Sequence, residues 1–204
     1  MEKEIYAFID NSNIFIEAQR AYAKENYAIP DYEPRFRLDF GKLFDHISSS
    51  RGQIFFDKGE DNHYPKLYGS EPPKMDSLWR FLERKGVDVR VFTRNAFNKE
   101  KEVDAALVWD VAKLVIKAED EDNSNKIIAI AGGDKDFLSL YEKGKNAGFD
   151  VEFYSWNHSA CYEIQELPTF YDLTPVIKNI GFLEKDRFEH NFGDTDWGNV
   201  VSYD

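Results

Sequence analysis

Two short apolar runs, each broken off by aspartate, constrain this chain more than any other feature. The stronger run covers residues 127–131 within IIAIAGGDKDF: five apolar residues, two glycines, then Asp134 and Asp136. A continuous run this short marks a strand buried on both faces of a parallel sheet. The next segment, FLSLYEKGKNAG, sets Phe137, Leu138, Leu140 and Tyr141 on one side of a helical wheel and offers Gly148 as a stop. The second run, residues 5–9, ends on Asp10 and continues as NSNIFIEAQRAYAK. There Ile14, Ala18 and Ala21 recur at helical spacing, and Asp10, Asn11, Ser12 and Asn13 all have the chemistry of a helix cap. Both segments therefore read strand, turn, helix. Ligands of open α/β sheets bind beyond the carboxyl ends of the strands, where these aspartates stand.

The intervening chain repeats the pattern. An aromatic, proline-containing loop (residues 25–37) precedes an amphipathic helix over 38–47. QIFF (53–56) reads as a strand, 57–73 as a long polar loop, 76–85 as a helix stopped by Gly86, and 87–92 as a strand alternating Val87, Val89 and Val91. Residues 103–118 give the clearest helix, with Val103, Leu107, Val111, Leu114, Val115 and Ala118 in one stripe and Asp104 in its first turn. Asp110 shares the apolar side of that helix and needs a partner if buried. A strand over 150–156, a short helix within 158–167 and an edge strand near 170–173 complete the series. About five short apolar strands alternating with helices predict an α/β fold: a mostly parallel, Rossmann-like sheet with helices on both faces. The expected domain covers residues 1–180, followed by an acidic C-terminal tail over 181–204.

The formal net charge of −12 argues against wholesale, non-specific nucleic-acid binding, which needs clustered lysine and arginine. Residues 74–101 nevertheless hold eight basic against four acidic side chains, so one face can be basic. Arg80, Arg84, Arg94, Lys99 and Lys101 are equally well read as phosphate contacts and as solvated surface. One cysteine precludes an intramolecular disulfide, and there is no transmembrane run or signal-like N-terminus, so the expected location is cytoplasmic.

Asp10, Asp104, Asp134 and Asp136 are thus delivered to one edge of the expected sheet. Clustered carboxylates repel without a cation, and hard oxygen donors suit Mg²⁺ or Mn²⁺. Such ions polarise phosphate oxygens and acidify water, a common solution for phosphodiester hydrolysis. Asn13 is placed to orient a carboxylate or the attacking water. Taken singly, Asp10 and Asn13 are ordinary helix caps, Asp104 an ordinary first-turn residue, and Asp134 and Asp136 ordinary turn formers.

Three blocks, FIDNSN (residues 8–13), KEVDAALVWD (101–110) and AGGDKDFLSLYEKGKNAGFDVEFYSW (131–156), resemble in order and spacing the motifs of the NYN domain, a branch of the PIN-like metal-dependent ribonucleases. The resemblance runs from about residue 4 to 173. It implies a PIN-like fold and RNA cleavage with Mg²⁺ or Mn²⁺. Asp10, Asp104, Asp134 and Asp136 would be the acidic, metal-holding residues, Asn13 a supporting polar residue of the catalytic set, and Asp110 a second aspartate of the helix motif. The family commonly has Ser or Thr where this chain has Gly132. The implied substrate is RNA, single-stranded or with unpaired regions; no membrane partner is implied, and a homo-oligomer is compatible. A rival reading is a non-catalytic PIN-like RNA-binding or adaptor protein. A phosphatase of the haloacid dehalogenase type would need a second acid two residues after Asp10, where Ser12 stands.

Overall fold

In the computed structural model, which describes residues 2–27, 31–49, 51–56, 64–70, 77–92 and 102–184, the N-terminal apolar run forms the central strand β1 (Lys3–Asp10). Its side chains alternate between two cores, Ile5, Ala7 and Ile9 into one and Tyr6 and Phe8 into the other. Burial on both faces is why the run is continuously apolar rather than alternating. The chain proceeds through α1 (Asn11–Asn26), β2 (Phe36–Leu38), α2 (Phe40–Ser48), β3 (Gly52–Ile54), β4 (Lys66–Ser70), α3 (Ser77–Arg84) and β5 (Asp88–Phe92). It then adds α4 (Val103–Lys117), β6 (Lys126–Ala131), α5 (Leu138–Asn146), β7 (Asp150–Ser155), α6 (Tyr162–Gln165), β8 (Phe170–Asp172) and β9 (Gly181–Leu183).

Seven of these strands form one parallel sheet in the order β5-β4-β1-β6-β7-β8. β3 and β4 share one position beside β1: β3 pairs with Lys3 to Ile5, and β4 with Phe8 to Asp10. Buried side chains of α1, α2 and α3, among them Ile14, Leu43, Ile47 and Leu82, fill the core on one face. Those of α4, α5 and α6, among them Leu107, Val111, Leu140 and Ile164, fill the other. This is the α/β, PIN-like architecture expected from the alternation of strands and helices.

Among the described residues the sheet has seven strands rather than about five. β8 takes the edge position expected of it, whereas β4 lies inside the segment read as polar loop; the rest of that segment up to residue 63 and residues 71–73 lie outside the described residues. KLYGS has a lysine, a glycine and a serine in five residues, too little apolar content to register as a buried strand. β2 and β9 form a separate antiparallel pair, Phe36 facing Leu183 and Leu38 facing Gly181. Leu38 is therefore a strand residue, and α2 begins at Phe40 behind an Asp39 cap that accepts from Lys42 N at 3.1 Å. β9 lies within the segment read as the acidic tail, whose positions 185–204 lie outside the described residues. No helix among the described residues is long and apolar enough to cross a membrane.

The aromatic loop after α1 is held by packing and by polar staples. Phe36 is fully buried and stacks on Tyr22 with ring centroids 4.6 Å apart, while buried Gln19 donates to Pro34 O and Phe36 O at 3.2 Å. Glu33 is also buried, accepting from Arg35 N, Nε and Nη2 and from Tyr27 Oη, each at 3.0 Å. The Arg35 guanidinium holds the Glu33 carboxyl below its ordinary value of 4.5, at about 2, against the opposing effect of burial. A depressed carboxylate pKa stabilises the fold fully above the unfolded-state value and loses that contribution as pH falls through the folded-state value. Glu33→Gln is expected to lower stability near neutrality by about 1–2 kcal/mol, the half-exposed arginine keeping the figure modest. Between pH 4.5 and 2 the difference from wild type should close. Thermal unfolding of both proteins across that range measures it.

Candidate active site at the carboxyl edge of the sheet

The strand order changes direction beside β1. The chain leaves β1 for β3, β4 and β5 on one side, then returns to β6, β7 and β8 on the other. The crevice between the carboxyl ends of β1 and β6 is thus the topological switch point, the place such sheets leave open for a ligand. Ile9 and Ala131 are register partners there, so Asp10 emerges from β1 directly beside Gly132.

Asp10 is buried, 4% exposed, and serves as the cap of α1, with Oδ1 accepting from Asn13 N at 3.2 Å. The cap reading and the site reading therefore apply to the same carboxylate. The amide oxygens of Asn11 and Asn13 next to it are buried without a hydrogen-bond partner among the described residues. Buried acceptors are rarely left so, and an orphan of this kind marks a place for water or an ion. Ser155, closing β7 at the same edge, has a fully buried hydroxyl that is likewise unpartnered among the described residues.

Asp134 and Asp136 follow the turn after β6 and are both exposed. Asp134 Oδ1 accepts from Asp136 N at 2.9 Å and caps a 3-10 turn over Lys135–Phe137, which precedes α5 rather than belonging to it. Lys135 is held by Glu163. Asp104 is half-buried in the first turn of α4, which packs on β1, β4, α5 and that 3-10 turn. As the connection between parallel β5 and β6, α4 runs back against the strands, so its first turn lies at their carboxyl edge.

The four expected carboxylates therefore share one edge, with Asp10 inside and the other three nearer the surface. Among the described residues, no group of three or more His, Cys, Asp or Glu side chains stands together closely enough to hold a metal ion. In kind, the donors fit a hard cation: carboxylates and two orphaned amide oxygens, without nitrogen or sulfur. Sequence reading named Asn13 but passed over Asn11 and Ser155. Asn11 was visible only as a cap residue, and Ser155 only as a position within the strand expected over 150–156.

The two glycines of the turn are dictated by close approach. A Cβ on Gly133 would stand 2.7 Å from the backbone of Ala160 and 2.8 Å from Ser155 Oγ. A Cβ on Gly132 would stand 2.8 Å from the ring of fully buried Phe137 and 3.4 Å from Asp10 Cβ. Gly132 is thus matched to a phenylalanine packed over it. Gly132→Ser should destabilise the fold by about 1–3 kcal/mol through overpacking. Pairing it with Phe137→Leu should recover part of that loss in denaturant unfolding.

Asp110, on the inner side of α4, is 6% exposed and has the partners its position requires. Tyr68 Oη donates to Oδ2 at 2.6 Å, and Arg90 Nη1 reaches the same atom at 2.5 Å. Burial, followed by the bond to Asp110, raises the Tyr68 phenol well above its ordinary range. This network joins α4 to β4 and β5. Of the five basic residues considered for phosphate contact, Arg80 and Arg84 lie on α3, while Arg94, Lys99 and Lys101 lie outside the described residues.

The sequence profile of the NYN domain family matches residues 4–174. Among solved structures, a Vibrio parahaemolyticus protein of unknown function is similar in fold, with a TM-score of 0.58 at 16% identity over 84% of this chain and 93% of that one. No curated protein matches the chain. With the family profile spanning most of the sequence and the PIN-like sheet beneath it, this chain belongs to the NYN domain family.

Proposed function

We propose that the protein is a metal-dependent ribonuclease acting at the crevice between β1 and β6. The observation that carries this reading is Asp10, a buried carboxylate at the switch point beside two buried amide oxygens that lack partners among the described residues. Asp10, Asp104, Asp134 and Asp136 would hold Mg²⁺ or Mn²⁺. Such a cation supplies neutralisation of phosphate charge and acidification of water. Asn11 and Asn13 would position water through their amide oxygens. Single-stranded RNA, or RNA with unpaired regions, could reach the exposed Asp134 and Asp136.

A second reading, an RNA-binding or adaptor protein without catalysis, is favoured by one observation: no three candidate ligands among the described residues already stand together. End-labelled RNA and DNA of the same sequence, incubated with Mn²⁺, Mg²⁺ or chelator, separate the two readings. Metal-dependent cutting confined to RNA is the expected result. RNA bound in chelator and left whole in every metal would instead establish the binding reading.

A further inference from the structure

A cavity of about 130 Å³ lies on the α4 face of the sheet, away from the carboxylate edge. Its walls include Lys66 of β4, Arg90 of β5, and Asp110, Lys113 and Lys117 of α4. Lys113 and Lys117 are nine and thirteen residues beyond Asp104 on a helix that rises about 1.5 Å per residue, so they stand about 14 and 20 Å along α4 from the candidate active site. The cavity is a separate place on the molecule.

Its charge is unusual for so acidic a chain. Arg90 is committed, with Nε donating to Asp88 at 3.1 Å and Nη1 reaching Asp110 at 2.5 Å. Lys66 is half-buried and its ammonium makes no hydrogen bond or ion pair among the described residues; it stands over the rings of Phe8 and Tyr64 at 5.7 and 5.9 Å. Lys113 and Lys117, exposed at the rim, also lack a carboxylate partner among the described residues. Four cations stand against Asp110 in the lining, and counting Asp88, which Arg90 holds just outside it, still leaves two net positive charges. Burial lowers the Lys66 ammonium pKa, and Arg90 and Lys113 push the same way against the pull of Asp110. Sequestering a cation without an anion costs free energy that a bound anion would offset. The volume equals about four waters of liquid, room for a tetrahedral oxyanion.

We propose that this cavity binds a phosphomonoester dianion, carried by a mononucleotide or by the terminal phosphate of an RNA chain. Lys66 contacts it from the floor, and Lys113 and Lys117 close over it from the rim. The proposal is independent of the ribonuclease reading, and measuring in chelator keeps metal at the carboxylate edge out of the result.

The test is calorimetric titration of the full chain, in chelator and at low salt, with 5′-AMP, with adenosine, and with a short RNA bearing either a 5′-phosphate or a 5′-hydroxyl. Binding of 5′-AMP but not adenosine is expected, weakened at least tenfold in Lys113→Gln/Lys117→Gln and in Lys66→Met. The rim pair is exposed, so the double variant should fold as wild type does, which circular dichroism checks. Preference for the phosphorylated RNA over 5′-AMP assigns the site to RNA ends; the reverse assigns it to free nucleotide. Absence of 5′-AMP binding, equal binding of adenosine, or unchanged affinity in the folded double variant would overturn the proposal.

Discussion

Asp10→Asn is expected to reduce RNA cleavage by about 10²–10³-fold or more, the scale on which removal of a preorganised electrostatic group at a reacting centre acts. The fold should be kept. Asparagine caps helices as well as aspartate does and still offers an oxygen to Asn13 N, so α1 retains its start. What disappears is the buried carboxylate at the switch point, the group that holds the cation in the proposed mechanism. Cleavage rates beside thermal unfolding of both proteins separate the two roles of this residue. Metal-dependent cleavage surviving in a folded Asp10→Asn protein would remove Asp10 from the site.

The largest effect on stability is expected at Asp110. Replacement by alanine removes the acceptor of Tyr68 Oη, leaves that buried hydroxyl unpaired, and takes from Arg90 one of its two carboxylates. Breaking a buried pair from one side costs about 3–5 kcal/mol; Arg90 is 37% exposed and keeps Asp88, so solvent screening brings the expected loss to about 2–4 kcal/mol. Tyr68→Phe, which leaves the Asp110–Arg90 pair intact, should cost about 1 kcal/mol. Chemical denaturation of the two single variants and the double variant measures the coupling. An Asp110→Ala protein as stable as wild type would mean that the network does not hold α4 to the sheet.

These residues mark how far the sequence can be read. A carboxylate on the apolar stripe of a helix announces that it needs partners, because burying it alone is too costly. It does not say which: Tyr68 and Arg90 lie in earlier strands and are brought to Asp110 only by the packing of α4 on β1 and β4 and the pairing of β5 with β4. The strands β1 and β6 were legible because both faces are buried and the whole run is apolar. β4 was not, because Lys66 lines a polar cavity and tertiary context alone makes KLYGS a strand.

The edge shows the same division. Apolar runs stopped by aspartate placed Asp10 and Asp134 at strand ends, but only the sheet order makes β1 and β6 neighbours. Asp10 proved to be both helix cap and buried edge carboxylate, two roles that sequence reading weighs as alternatives. The reason for Gly132 was not legible either, since it depends on Phe137 folding back over the turn. Nor was the pairing of residues near 36 with residues near 182, which depends on where the chain ends its path around the sheet.

The most direct test of a cation-dependent nuclease at this edge is cleavage of labelled single-stranded RNA by wild type and Asp134→Asn, side by side in Mn²⁺, in Mg²⁺ and in chelator. Asp134 is exposed, and asparagine preserves its cap on the 3-10 turn, so both proteins should be equally folded. Wild type is predicted to cut in either metal and not in chelator, and Asp134→Asn to cut in none. Cleavage that persists in chelator, or that is undiminished in a folded Asp134→Asn protein, would contradict the account.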